Sequence, residues 1–182
     1  IGFPTADALG KTGVEISGSV ITINVDAGSD YTYDEAIGSD VTRVVKTGSG
    51  RLIINVDNSS FKGAVDINEG VLLITHCGAL GRSDAANRLL DGPITVANKA
   101  QLYTKLIRQG QSFEQLSKRL ILSGNGPDGA DNKSKGALVA HPSGTAAGGS
   151  YVQDAWIAHV ELAGDAMINI VDSRNVKIED VT

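Results

Sequence analysis

The chain has 182 residues, 41% hydrophobic and only 4% aromatic, with 16 basic against 21 acidic side chains and a formal net charge of −5. That length suits one domain with a continuous buried core, and the acidic balance, with no basic run beyond Lys118-Arg119, argues against an electrostatic nucleic-acid binder. No apolar stretch approaches the roughly 20 residues of a membrane-spanning helix, and one cysteine excludes an internal disulfide framework and a four-thiolate zinc site without deciding the compartment.

The chain opens Ile1-Gly2-Phe3-Pro4-Thr5, without initiator Met, basic segment or apolar leader, and its last residues, Asn175 to Thr182, still alternate in polarity. Both ends are read as cuts in a longer polypeptide. Period two dominates what lies between: Ile21, Ile23 and Val25 alternate with Thr22 and Asn24, and Leu52, Ile54 and Val56 with Ile53 and Asn55. Strands are expected there, with Ile54, Val56, Ile67, Leu72 and Ile74 facing inward. Further strands are expected at Val41 to Val45, Val65 to Ile67, Val71 to Thr75, Ile94 to Ala97, Arg119 to Leu122, Gly136 to Ala140, Ile157 to Leu162, Met167 to Val171 and Val176 to Ile178. Gly, Asn, Asp and Ser fill the gaps, as turns require. Two short segments carry a helical signal. Ser112-Phe113-Glu114-Gln115 is a capping-box pattern that places Phe113, Leu116 and Leu120 on one face, although a loop feeding the strand at Arg119 is the preferred reading. The other is Ser83 to Asn87.

The strand spacing narrows the fold class. Val20 to Val41, Leu52 to Leu72 and Leu138 to Val160 each recur near twenty residues, the range in which stacked repeats bury one another's apolar faces. Hairpin dipeptides are few: Asp91-Gly92, Asn125-Gly126 and Asp128-Gly129, each beside Pro93 or Pro127. An all-β parallel β-helix, or β-solenoid, with short turns, little helix and an aliphatic core is therefore expected rather than a sandwich.

Lys46 to Gly81 carries a longer pattern: Lys46, Gly48, Gly50, Leu52, Phe61, Gly63, Ile67, Gly70, Leu72 and Ala79-Leu80-Gly81. This resembles the passenger-associated, or autotransporter-associated, β-strand repeat, whose pattern runs K-x-G-x-G-x-L, an aromatic before Gly, I-x-x-G-x-L and A-L-G. Looser similarity continues through Gly92 to Leu102, Leu120 to Gly126 with Gly136 to Leu138, and Trp156 to Ile170. The resemblance implies a right-handed parallel β-helix in a secreted or outer-membrane-exported bacterial protein, with residues 46–81 as the best repeat in a single segment spanning 1–182. It carries over no catalytic residues. The family's C-terminal membrane barrel is absent, and Gly124 to Gly136 holds a polar insertion, Pro127 to Lys133.

Few side chains suggest chemistry. His76-Cys77 has no further ligand at metal spacing, since His141 and His159 are distant, so a buried or corner pair is expected, with Cys77 neither nucleophile nor ligand. Asp128, Asp131 and Asn132 offer oxygens suited to Ca²⁺, but their spacing matches no calcium loop, and residues 127–133 read as a solvated turn. Gly124-Asn125-Gly126 lacks the Lys and helix start of a phosphate loop. No paired carboxylates of the glycoside-hydrolase kind are visible. Tyr151, Asp154, Trp156 and His159 form an aromatic-polar cluster able to stack on and hydrogen-bond a sugar, although a core-covering Trp156 is the preferred reading.

The expectation is thus a non-catalytic structural segment, a stalk or passenger region of a bacterial surface protein, with no metal, cofactor, nucleic acid or membrane span. Its partners are expected to be other domains of its parent chain. The alternative is a glycan-binding or adhesive module, and behind it a carbohydrate-active enzyme on the same fold.

Overall fold

The structure, a computed structural model, describes residues 11–76, 78–82, 90–105, 114–116, 118–129, 135–141, 154–157, 159–171, 175–178 and 181–182. Every regular element among them is a strand. In chain order these are β1 (Gly13–Ser17), β2 (Val20–Asn24), β3 (Asp30–Tyr33), β4 (Arg43–Thr47), β5 (Arg51–Ile54), β6 (Ala64–Ile67), β7 (Gly70–Ile74) and β8 (Leu90–Val96). They continue with β9 (Ala100–Thr104), β10 (Glu114–Leu116), β11 (Lys118–Gly124), β12 (Leu138–Ala140), β13 (Asp154–Ile157), β14 (Val160–Ala166), β15 (Ile168–Ile170) and β16 (Asn175–Ile178). No helix of the described residues is long and apolar enough to cross a membrane.

From β2 to β9 successive strands alternate between two sheets, and from β10 onward the chain visits a third sheet in turn. One has the order β1-β2-β4-β6-β8-β11-β14 and the other β15-β12-β9-β7-β5-β3, while β10-β13-β16 form a small third sheet. Pairing is parallel except between β1 and β2. That hairpin turns at Gly18-Ser19, and Gly18 takes the positive φ of 57° that a tight two-residue turn needs at its first central position. The sequence reading overlooked this Ser-Gly-Ser signal.

Period-two patterning gives each strand one inward face. Ile21, Val44, Val65, Ile94, Leu120 and Val160 stand in register across the first sheet, none more than 4% exposed. Leu52, Leu72, Leu102 and Leu138 form the matching ladder in the second, each fully buried. Each such side chain contributes roughly 1.5–3 kcal/mol by leaving water, which makes the ladders the main cohesive element.

Of the five residues expected inward, Ile54, Ile67, Leu72 and Ile74 are fully buried, while Val56, beyond the end of β5, is half-buried against the core. The spacing of Leu52 to Leu72 is a true pairing. The other two spacings fail differently: Val20 to Val41 joins the correct strands, β2 and β4, but stops two residues short of the partner Arg43, whereas Leu138 pairs with Ile168 and Val160 with Leu120. Apolar runs of the two sheets look alike in sequence, so the count from Leu138 to Val160 mixes one sheet with the other. The capping-box helix is also absent. Glu114–Leu116 is β10, and it pairs with Ala155–Ile157, where an available strand satisfies its backbone groups and overrides local preference. Ser83 to Asn87 lies outside the described residues.

Candidate functional site

The turns that carry the chain from the first sheet to the second stack along one edge. They comprise Thr47 to Gly50 between β4 and β5, Asn68-Glu69 between β6 and β7, Ala97 to Lys99 between β8 and β9, and the turn after β11 that contains Pro127 and Asp128. Together they border a groove of about 450 Å³, lined by Thr47, Ser49, Asn68, Glu69, Gly70, Asn98, Lys99, Pro127 and Asp128. Gly70 (φ 69°) lets two layers approach closely here, since an added Cβ would lie 2.6 Å from the carbonyl oxygen of Gly48. Lys99 (φ 68°) is the one non-glycine residue with positive φ among the described residues. Its ammonium donates to Asp128 at 2.8 Å across exposed surface, a hydrogen bond that raises its pKa.

Beneath the groove lies Lys46, which is fully buried between Ile23 and Ile67 of the first sheet's inward ladder. Its Nζ donates to the carbonyls of Thr47 (2.8 Å), Gly48 and Glu69 (3.0 Å), so all three ammonium protons go to turn backbone. Burial pushes its pKa down to about 8, with the Glu69 carboxylate opposing. Thr47 Oγ1 donates to Asn24 Oδ1 at 3.2 Å and ties this turn to the layer before it.

Two other polar groups are structural. Asn58, 2% exposed, accepts the Ile37 N–H at 2.8 Å and donates to Ala79 O at 2.9 Å, so one carboxamide links three successive layers. Lys118, 1% exposed, donates to Gly63 O with its ammonium 4.7 Å from the centre of the Phe61 ring.

His76 Nδ1 accepts the Gly78 N–H at 3.0 Å and lies 3.9 Å from Asp57. Donation from the Ser59 hydroxyl, aided by His76 and Arg82, holds the Asp57 carboxyl below its usual range. His141 Nδ1 is 3.0 Å from the Tyr103 hydroxyl, far along the chain from His76.

The sequence-selected cluster is only partly placed. Asp154 and Trp156 stand two positions apart in β13, in register with Asn175 and Lys177. His159 precedes β14, its carbonyl accepting Leu120 N–H at 3.0 Å and its Nε2 3.5 Å from Thr182 Oγ1. Tyr151, Cys77, Asp131 and Asn132 lie outside the described residues. Asp128, the remaining candidate of the calcium reading, is paired with Lys99. Among the described residues no three His, Cys, Asp or Glu are grouped to hold a metal ion. The groove was missed because its residues read as ordinary turn formers. The signal that marks it is the polar residue that follows the inward alternation, as in Lys46-Thr47 and Ile67-Asn68.

Comparison with protein-family models, curated proteins and solved structures finds no match for the chain.

Proposed function

We propose that the chain is a right-handed parallel β-helix of the autotransporter-associated repeat type, serving as a non-catalytic stalk or passenger segment of an exported bacterial surface protein. The observation that carries this reading is how the residues of the 46–81 pattern are used. Lys46, Leu52, Phe61, Ile67, Leu72, Ala79 and Leu80 are at most 2% exposed. At Gly48, Gly50, Gly63 and Gly70 an added Cβ would collide with the backbone of an earlier layer. A pattern whose members all join one layer to the next specifies a stack, and a stiff stack acts through shape and length. From β2 to β7 each strand pairs in parallel with the second strand onward and, once the third sheet enters, from β8 to β13 with the third strand onward, as a coil requires. Seven strands about 4.8 Å apart give the first sheet a length of roughly 30 Å. Other domains of the same polypeptide are the partners that such a spacer would hold apart.

NMR strand contacts and a polysaccharide panel test the two halves of the reading. The expected results are interstrand contacts of parallel pairing, such as Leu52 with Leu72, and no turnover of plant, host or microbial polysaccharides, with or without Ca²⁺. Antiparallel contacts between these strands would remove the solenoid. Turnover that disappears in a single Asp or Glu variant would replace the stalk with an enzyme.

A further inference from the structure

We infer that the turn groove is a binding site for a neutral, extended 1,4-linked glycan lying along the stack. This goes beyond the stalk reading and does not depend on it. Three features select the ligand. The first is the chemistry of the lining: Ser49 and Asn68 beside Glu69, then Asn98, supply hydroxyl and carboxamide groups that both donate and accept, as sugar hydroxyls demand. Among the described residues the side chains of Ser49, Asn68 and Asn98 have no hydrogen-bond partner and are exposed, so these groups remain available to a ligand.

The second feature is charge. Lys99 and Asp128 neutralise each other at 2.8 Å, and the Glu69 carboxylate acts on the Lys46 ammonium, which is turned into backbone carbonyls below, so the lining offers no unpaired cation to an anionic ligand. That arrangement disfavours phosphate, sulfate and uronate ligands and selects an uncharged one. The third is geometry. The lining comes from four successive layers, so donors and acceptors recur at the strand separation of about 4.8 Å over roughly 14 Å. This step is close to the advance per ring of an extended 1,4-linked chain. Pro127 adds an apolar surface for ring C–H groups at one end.

Titration of the intact chain by calorimetry or NMR, with cellotetraose and chitotetraose as probes, tests the proposal. One of the two tetraoses should bind at least about tenfold more tightly than its disaccharide, a gap of about 1.4 kcal/mol, and tetragalacturonate should not bind. The double variant Asn68→Ala/Asn98→Ala changes only exposed side chains, so it should keep the parent's melting temperature while losing at least about tenfold in affinity. Trp156→Ala should bind as the parent does. Absence of binding by either tetraose, equal binding of tetragalacturonate, or loss through Trp156→Ala instead of the double variant would each overturn the proposal.

Discussion

From β2 to β7 the chain advances by short, nearly constant steps, whereas from β8 onward the steps lengthen. Arg43 pairs with Ala64 and Leu52 with Leu72, but Leu102 pairs with Leu138 and Leu120 with Val160. The inward ladder continues across the long steps. Ile94, Leu120 and Val160 remain aligned and fully buried, although the register shifts between Lys118 and Leu120 and between Leu122 and Gly124. The two regions also differ on their third side. In the early region the connection from β5 to β6 is irregular and anchored by Asn58 and Phe61, while in the later region β10, β13 and β16 form a sheet in the corresponding interval. The lesson is that the ladder is specified residue by residue and the connections are not, because loop length costs only logarithmically.

The largest expected effect tests that lesson in one ladder. Tyr33, Ile54, Ile74, Thr104, Ala140 and Ile170 are successive members of the second sheet. Ile54 is fully buried and Ile170 is 44% exposed. Ile54→Asp should destabilise by more than about 4 kcal/mol, enough to unfold a domain of ordinary stability, whereas Ile170→Asp should cost below about 1 kcal/mol. Urea titrations of both variants supply the comparison, and equal costs would show that the core does not thin toward the last strands.

Next comes the third side of the early region. Asn58→Ala removes the acceptor for Ile37 N–H and the donor for Ala79 O, both buried, and should cost about 2–4 kcal/mol. Native-state hydrogen exchange should show the Ile37 amide losing protection first, with β10 to β16 unaffected. Uniform loss along the whole chain would mean that the two regions unfold as one unit.

The early region was also the more legible one. Ile54, Ile67, Leu72 and Ile74 declared themselves by alternation, and Leu52 to Leu72 gave a true step because both runs belong to the second sheet and only one strand of the other sheet intervenes. In the later region the same counting paired Leu138 with Val160 across sheets, since nothing local states which sheet an apolar run joins. Strand β10 was hidden because three residues carry too little pattern to outweigh a capping box. Lys46 was visible within the repeat pattern, but its burial was not, because a lysine enters a core only when carbonyls at the far end meet its ammonium, and that depends on the next layer. The groove was illegible for a related reason: Ser49, Asn68 and Asn98 come together only through stacking.

Lys46 gives a smaller effect confined to the early region. Its pKa falls from the ordinary 10.5 to about 8 in the folded protein, through burial. Below pH 8 both states hold the proton and the folded state bears the full cost of burying it. Between about 8 and 10.5 the folded state has released a proton that the unfolded state still binds, so stability should rise with pH across that window and then level off. At about 1.4 kcal/mol per pKa unit the rise is at most about 3 kcal/mol. Tyr33, whose pKa burial raises, works in the opposite sense near the top of the window. The informative quantity is therefore the difference between the parent and Lys46→Met, and a parallel pH profile in the two proteins would remove Lys46 as the source.

The smallest effect should not distinguish the regions at all. Arg43 with Asp66 and Arg51 with Asp30 link adjacent layers early in the chain, and Arg119 with Glu161 does so late. In each pair at least one side chain is about half exposed, at 55%, 51% and 46%. Exposed pairs lose most of their attraction to water and salt, so each should contribute at most about 1 kcal/mol. Arg43→Ala and Arg119→Ala should thus shift stability by similar small amounts, and about 1 M NaCl should reduce both shifts further. A markedly larger cost for Arg43→Ala would indicate that ion pairing, and not only the aliphatic ladder, sets the regular step of the early layers.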